Sequence, residues 1–132
     1  MSTKNWTIVA AVSLGIALAI YGLATKAILY AVPYEFFKLY EMAVHIHILQ
    51  SLGILILGVQ SKFKILDLWK KLHLIGLLIY AVFGYFWVWM KIQGVADGGL
   101  LEQIAEVVPL IGIVIIMLAW FTTAYSLYNK HR

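Results

Sequence analysis

Long apolar runs alternate with short polar segments along the whole chain. Four of these runs cover residues 6–31, 42–59, 72–92 and 104–127. Each is close to the roughly 20 residues that an α-helix needs to cross the hydrocarbon core of a bilayer. The pattern predicts an all-α integral membrane protein, one domain over residues 1–132, folded as an antiparallel bundle of four transmembrane helices.

A further helical segment is expected directly before the second run. Pro33 suits the first turn of a helix, where its missing N–H would have no partner. Residues 34–41, Tyr-Glu-Phe-Phe-Lys-Leu-Tyr-Glu, follow it and are rich in aromatic side chains. Because aromatic residues favour the headgroup zone, this segment is interpreted as an interfacial helical extension running into the second transmembrane helix.

The composition agrees with a membrane protein and excludes several kinds of site. The chain is 64% hydrophobic and only 12% charged, whereas a soluble domain is about 45–50% apolar and about 25% charged. Cysteine is absent, which excludes disulfides, thiolate metal sites, iron–sulfur clusters and cysteine nucleophiles. The net charge of +4 is interpreted as a topology signal, and no nucleic-acid partner is expected.

The basic residues are distributed unequally between the two sides of the predicted membrane. The side holding both ends of the chain and the loop between the second and third runs carries Lys4, Lys62, Lys64, Lys70, Lys71, Lys130 and Arg132. The opposite side carries Lys26, Lys38 and Lys91. Since lysine and arginine are enriched in cytoplasmic segments, the N-terminus and the C-terminus are both predicted to be cytoplasmic.

Small residues inside the runs predict close helix packing. The first helix has a stripe of small side chains, two glycines interrupt the third run and one interrupts the fourth. Small residues on one stripe let helix backbones approach closely in lipid. A proline in the fourth run is expected to kink that helix. The predicted packing residues are Ala11, Gly15, Gly22, Gly76, Gly84, Pro109 and Gly112.

The second run carries the most informative polar residues. A charged side chain at mid-membrane costs about 2.5–3.5 kcal/mol on insertion scales, so such groups usually face a bundle interior, a partner or a ligand. Glu41 and His45 are four residues apart and share one helix face, whereas His47, Gln50 and Ser51 share another. All five are candidate ligand or partner contacts. The alternatives are solvation at the headgroups for the first pair and interhelical hydrogen bonds for the deeper His47 and Gln50.

The histidines raise the question of a haem or a metal. His45 and His47 lie two residues apart and point away from each other, so they cannot chelate one metal as an i, i+4 pair does. His73 begins the third run, which starts on the other side of the membrane. It is therefore expected most of a ~30 Å core away from the other two. No cofactor or metal site is predicted within one chain; a quinone, or a haem shared with a partner, stays open.

The remaining acidic residues do not indicate catalysis. Glu102 and Glu106 share a face at the start of the fourth run, where carboxylates are favoured by the helix dipole. They are interpreted as solvated, with the alternative of a proton-entry group or a partner for Lys26 or Lys91. No nucleophile–base arrangement or phosphate-binding loop is evident, so catalysis is not expected.

Three stretches carry a resemblance to a known family. They are Tyr21-Gly22-Leu23, then Tyr40-Glu41-Met42-Ala43-Val44 with His47 and Gln50, and Val108-Pro109-Leu110-Ile111-Gly112 with Trp120. In these stretches the chain resembles the YgdD/YwdK-type small inner-membrane proteins, domain-of-unknown-function family 423, with the family's Gln and His exchanged. The resemblance implies a four-helix protein of a plasma (inner) membrane. It implies no activity.

Three functions are compatible with this pattern. The leading hypothesis is a small non-catalytic membrane protein, an accessory or assembly subunit or a lipid-contacting protein. The alternative is a quinone- or haem-contacting subunit of a respiratory membrane complex. A small transporter or channel ranks last, because four helices line a pore only as an oligomer or a very narrow conduit. The expected partners are the lipid bilayer and other membrane subunits or further copies of the chain.

Overall fold

A computed structural model of the chain describes residues 3–59, 67–94 and 99–130. These residues form four long helices, α1 (Thr3–Ala31), α2 (Tyr34–Val59), α3 (Asp67–Ile92) and α4 (Leu100–Lys130). The all-helical class and the number of long helices are therefore confirmed. All four are long and apolar enough to cross a membrane. Of the basic residues used to predict sidedness, Lys62, Lys64 and Arg132 lie outside the described residues.

The helices begin before the apolar runs, and α1 and α3 end at the residues that the sequence predicts. α1 stops at Ala31 because Pro33 disfavours the helical conformation of the residue before it. The Pro33 carbonyl then accepts hydrogen bonds from the N–H groups of Phe36 and Phe37 at 3.0 and 3.1 Å. The predicted extension therefore forms the first turns of α2 itself, in one continuous helix from Tyr34.

The connection between α3 and α4 is marked by glycines at both ends. Gly94 has φ +68° and donates its N–H to the Lys91 carbonyl at 3.1 Å. Such a left-handed residue after the last turn is a common helix terminus, and glycine adopts it without steric cost. At the start of α4, the Gly99 carbonyl accepts from Glu102 N–H at 3.0 Å. α4 then continues as one helix through Pro109.

The helices pack in sequence order. α1 packs on α2, α2 on α3 and α3 on α4, and within the described ranges α1 and α4 share no extensive interface. The two middle helices bury more of their residues than the outer two. The arrangement is therefore more open than a closed four-helix bundle, with α2 and α3 at its centre.

The structure corrects the packing expected for α1. Gly15 and Gly22 are exposed, and a Cβ added at either would meet nothing within 4 Å. Ala11 is exposed as well. The buried small residues of α1 are instead Ala10 and Ala17. The sequence offers two stripes of small residues on this helix, and the rotation of α1 against α2 decides which one forms the contact.

The glycines of α3 and α4 lie at a close helix contact. A Cβ at Gly76 would lie 2.8 Å from Ile116 Cγ1 and 3.2 Å from the Gly112 carbonyl oxygen. A Cβ at Gly112 would lie 2.8 Å from the backbone nitrogen of Tyr80. Because real Cβ atoms do not approach other atoms so closely, the α3–α4 distance depends on glycine at both positions.

Three further glycine positions allow close contacts of α2. A Cβ at Gly84 of α3 would lie 2.9 Å from the Ala43 Cβ. Two glycines of α2 that the sequence analysis did not single out behave similarly. Gly58 approaches the Thr7 hydroxyl at 2.9 Å, and Gly53 approaches the Trp120 ring at 3.0 Å, each measured from an added Cβ.

Candidate functional site: two hydrogen-bonded chains around α2

Polar side chains from all four helices meet around the middle of α2. Of the residues predicted there, His47, Gln50 and Ser51 are buried. They point in two directions and join two separate sets of partners. We call these the amide–imidazole chain (Trp120, Gln50, His73, Thr123) and the hydroxyl–imidazole chain (Ser51, Ser13, His47, Tyr85).

The direction of every bond in the amide–imidazole chain is fixed by chemistry. The Trp120 indole N–H can only donate, and it donates to Gln50 Oε1 at 3.2 Å. The amide nitrogen of Gln50 therefore donates to Nδ1 of His73. With Nδ1 accepting, the ring proton is on Nε2 and is donated to the Thr123 hydroxyl at 3.4 Å. Thr123 donates in turn to the Ala119 carbonyl at 2.8 Å.

Aromatic rings enclose the imidazole of this chain. The indoles of Trp69 and Trp120 meet the His73 ring edge-on, with centroids 4.7 and 4.9 Å away and interplanar angles of 72° and 87°. Edge-to-face contacts are a favoured geometry for aromatic rings. His73 is 1% exposed. The amide–imidazole chain thus holds a neutral histidine in one orientation and links α2, α3 and α4.

The hydroxyl–imidazole chain has no fixed direction. Ser13 Oγ lies 2.8 Å from Ser51 Oγ and 2.9 Å from Nε2 of His47. On the other side of the ring, Nδ1 of His47 lies 2.9 Å from the Tyr85 hydroxyl. Since hydroxyls both donate and accept, the neutral imidazole is satisfied with its proton on either nitrogen. This chain links α1, α2 and α3.

Tyr40 of α2 contacts the hydroxyl–imidazole chain through its ring and makes polar contacts of its own with α1. The Tyr40 ring lies 6.2 Å from the Tyr85 ring between centroids. The Tyr40 hydroxyl donates to the Ile20 carbonyl of α1 at 3.0 Å and lies 3.5 Å from the Thr25 hydroxyl. Tyr40 is therefore a second polar link between α1 and α2.

The other two predicted residues of α2 are not brought into either chain. His45 is exposed and contacts the Tyr21 ring, with centroids 5.9 Å apart. Glu41 is half-buried and has no hydrogen bond or ion pair in the part of the chain that the structure describes. The structure thus separates the two predicted faces of α2, with His47, Gln50 and Ser51 inside and His45 outside.

The expected separation of the histidines in depth is wrong. Gln50 contacts His73 directly, and Gln50 is three residues after His47, about 4.5 Å along the helix axis. His47 and His73 therefore lie at neighbouring levels. The error arose because α2 begins at Tyr34 and α3 at Asp67, so both histidines are further from their helix ends than the apolar runs suggested.

The geometry also bears on haem and metal binding. Both ring nitrogens of His47 and of His73 are hydrogen-bonded to other side chains of the protein. A haem iron would therefore have to displace one of these partners. In the described residues, no group of three or more His, Cys, Asp or Glu side chains is placed to hold a metal ion.

Near one end of the helices an ion pair joins α3 and α4. Lys91 Nζ lies 3.1 Å from Glu102 Oε1. The ammonium also lies 4.7 Å from the Phe36 ring centroid and 4.8 Å from that of Trp87. Lys91, one of the two partners that the sequence analysis offers for Glu102, is therefore the one found. The side chain of Glu106 lies outside what the structure describes.

Two of the cavities beside the middle helices bear on ligand binding. One, of about 480 Å³, lies between α1 and α3 and has Ser13, His47 and Tyr85 among its otherwise apolar lining. The other, of about 310 Å³, lies between α2 and α4 and is lined by Leu39, Met42, Ala43, Tyr80, Gly84, Trp87, Ala105, Pro109, Leu110 and Ile113. Both volumes fall within the range of about 300–1,000 Å³ usual for ligand pockets.

Sequence reasoning missed five members of the two chains. The hydropathy pattern does not mark Ser13, Tyr85, Trp120 and Thr123 as polar partners, and the apolar runs place His73 at the wrong depth. Ser13 carried a detectable signal, because it is an isolated hydroxyl within an apolar helix. The others are amphipathic or capable of bonding their own helix, so their roles depend on what the neighbouring helix presents.

Comparison with known proteins returned no relative of this chain. No protein-family model matches it, and neither the curated proteins nor the solved structures include a match. The resemblance to domain-of-unknown-function family 423 therefore stays a prediction.

Proposed function

We propose that the chain is a non-catalytic integral membrane protein, acting as an accessory or assembly subunit or as a lipid-contacting protein of a plasma membrane. The observation that carries this proposal is that the buried polar side chains of α2 are hydrogen-bonded to side chains of the neighbouring helices of the same polypeptide. Side chains whose donors and acceptors are already paired in this way hold helices together. They do not present a nucleophile or a base to a substrate.

The outer surface supports a membrane environment. Large apolar side chains are exposed along every helix, among them Leu23, Leu49, Leu78 and Leu110. A water-soluble monomer rarely exposes apolar patches beyond a few hundred Å². Lipid, or the apolar face of another membrane subunit, is the environment in which such a surface is stable.

We propose further that successive helices cross the membrane in opposite directions, with both termini in the cytoplasm. Contacts between α1 and α2 support this arrangement. Early residues of α1 meet late residues of α2, as with Thr7 and Gly58, and late residues of α1 meet early residues of α2, as with Thr25 and Tyr40. The distribution of lysine and arginine supports the orientation.

The topology is tested by labelling single cysteines with a membrane-impermeant maleimide in intact cells. The chain has no cysteine, so no background reaction arises. Gln93→Cys lies after α3 and Asn129→Cys near the end of α4, and both native residues are exposed. We expect Gln93→Cys to react in intact cells and Asn129→Cys only after permeabilisation. Equal labelling of both in intact cells would contradict the proposed topology.

The accessory role is tested by native mass spectrometry of the protein extracted from its own membrane in mild detergent. We expect the chain to be held in a larger assembly or to retain lipid. A bare monomer of 14.9 kDa without protein or lipid partners would contradict the proposal.

A further inference from the structure

The cavity between α2 and α4 contains hydrogen-bond donors that the fold leaves unused. Tyr80 and Trp87 both line it, and they are only 3% and 5% exposed. Neither the Tyr80 hydroxyl nor the Trp87 indole N–H makes a hydrogen bond in the part of the chain that the structure describes. These two polar atoms are not sealed inside the protein, since the side-chain donor that is fully buried without a partner in the described residues is Trp69 Nε1. An occupant of the cavity that accepts hydrogen bonds from Tyr80 and Trp87 would be stabilised by them.

A backbone acceptor lies in the same cavity. Pro109 has no N–H, so the carbonyl of Ala105, four residues earlier, has no α-helical donor. Both residues line the cavity. Ala105 also packs against Trp87 in a buried cluster. Pro109 therefore leaves one more polar group, a backbone acceptor, among the residues that line the cavity.

The placement of the two donors restricts the occupant. Tyr80 and Trp87 are seven residues apart, so they lie on one face of α3 about 10 Å apart along its axis. Gly84 lies between them and lets Ala43 of α2 approach closely, so that α2 forms a wall of the cavity beside the two donors. The cavity thus suits a flat apolar group with an acceptor at each end.

The cavity between α1 and α3 has no unused donors of this kind among the described residues. Its polar residues Ser13, His47 and Tyr85 are bonded to one another. A ligand there would have to break an existing hydrogen bond, whereas a ligand between α2 and α4 would only form new ones. The unused donors therefore favour the α2–α4 cavity as a binding site.

We propose that the α2–α4 cavity binds the ring of a membrane quinone, with its two carbonyl oxygens accepting from Tyr80 and Trp87. A quinone ring is flat and apolar, and its two carbonyls point in opposite directions. Tyr80 lies near the middle of α3. The ester carbonyls of phospholipids lie at the bilayer surface, outside the hydrocarbon core, so they would not reach a donor at that depth. A water molecule would need two to four polar partners in one place.

The experiment uses the full chain in nanodiscs of quinone-free phosphatidylcholine, with an azido-substituted decylbenzoquinone as the photoreactive probe. After illumination, the labelled peptides are mapped by mass spectrometry. We expect label in segments 39–43, 80–87 and 105–113, and its displacement by excess unlabelled decylbenzoquinone. This result does not depend on whether the protein is an accessory subunit.

Conservative variants test the donors. Tyr80→Phe removes only the hydroxyl, and Trp87→Phe removes the indole N–H while keeping an aromatic ring. We expect each to weaken binding about five-fold and the double variant more than about ten-fold. The matched controls Trp89→Phe and Tyr125→Phe alter exposed residues and should leave labelling of the cavity unchanged.

Three outcomes would overturn the proposal. Label spread evenly over the exposed helix faces would mean that the probe only partitions into lipid. Label concentrated between α1 and α3 would place the quinone in the other cavity. A phospholipid adduct that native mass spectrometry detects on the unmodified chain and not on the double variant would assign the donors to a lipid ester.

Discussion

The contact between α3 and α4 allows a sharp test of the packing, through Gly112→Ala. The added Cβ would lie 2.8 Å from the backbone nitrogen of Tyr80 and 3.1 Å from its Cα. Because these are backbone atoms, no change of side-chain rotamer relieves the overlap. The two helices must move apart, and the buried contacts beside Gly112 loosen with them.

The expected magnitude follows from two opposing effects. Overpacking a close contact costs about 1–3 kcal/mol, and alanine returns up to about 1 kcal/mol through its higher helix propensity. We therefore expect Gly112→Ala to lower the free energy of unfolding by about 1–2 kcal/mol. Gly76→Ala strains the same contact, so the double variant should cost less than the sum of the two single changes.

Gly15→Ala is the matched control. It makes the same chemical change in a helix, but nothing lies within 4 Å of the added Cβ. Only the propensity effect remains, so this variant should be neutral or slightly stabilised.

The assay is unfolding in mixed micelles at increasing mole fractions of sodium dodecyl sulfate, followed by tryptophan fluorescence. Gly112→Ala should unfold at a lower detergent fraction than the unmodified protein, and Gly15→Ala should not. If Gly112→Ala unfolds at the same detergent fraction as the unmodified protein, or if both variants are equally destabilised, the packing argument is refuted.

Three further predictions concern the polar chains and the apolar surface. Gln50→Leu leaves the Trp120 N–H and Nδ1 of His73 without partners, and the same unfolding assay should show a loss of about 1–2 kcal/mol. Tyr85→Phe removes one of two partners of His47 and should cost less, about 0.5–1 kcal/mol; a larger loss than for Gln50→Leu would contradict the assignment of the two chains. Removal of detergent without lipid should aggregate the protein, as measured by sedimentation, and a soluble monomer would contradict its interpretation as a membrane protein.

The ends of the helices could be predicted where the sequence contains a chemical signal. The C-terminal ends of the first and third apolar runs coincide with the ends of α1 and α3 at Ala31 and Ile92. The starts could not be predicted from hydropathy, since α2 and α3 each include polar first turns. Hydropathy indicates which part of a helix is apolar enough to lie in lipid. The helix itself extends over every residue that keeps the helical backbone hydrogen bonds, including polar ones.

The candidate site could be predicted in part. An imidazole and an amide inside an apolar run indicated that His47 and Gln50 have partners, because an unpaired polar group in lipid is costly. The identity of the partners could not be predicted. Ser13 and His73 are 34 residues before and 23 residues after the α2 residues they contact, and only the relative depth of the helices brings them together.

The sequence by itself determined the helical class, the four apolar helices and the polar face of α2, because these depend on residue type and periodicity along one helix. The tertiary structure alone decided three things. They are which stripe of α1 is buried, the pairing of Gln50 with His73, and the donors left unused beside Pro109. Each of these depends on the rotation of a helix about its axis and on its shift along a neighbour. In lipid these are set by the close fit of side chains between helices, which no single helix encodes.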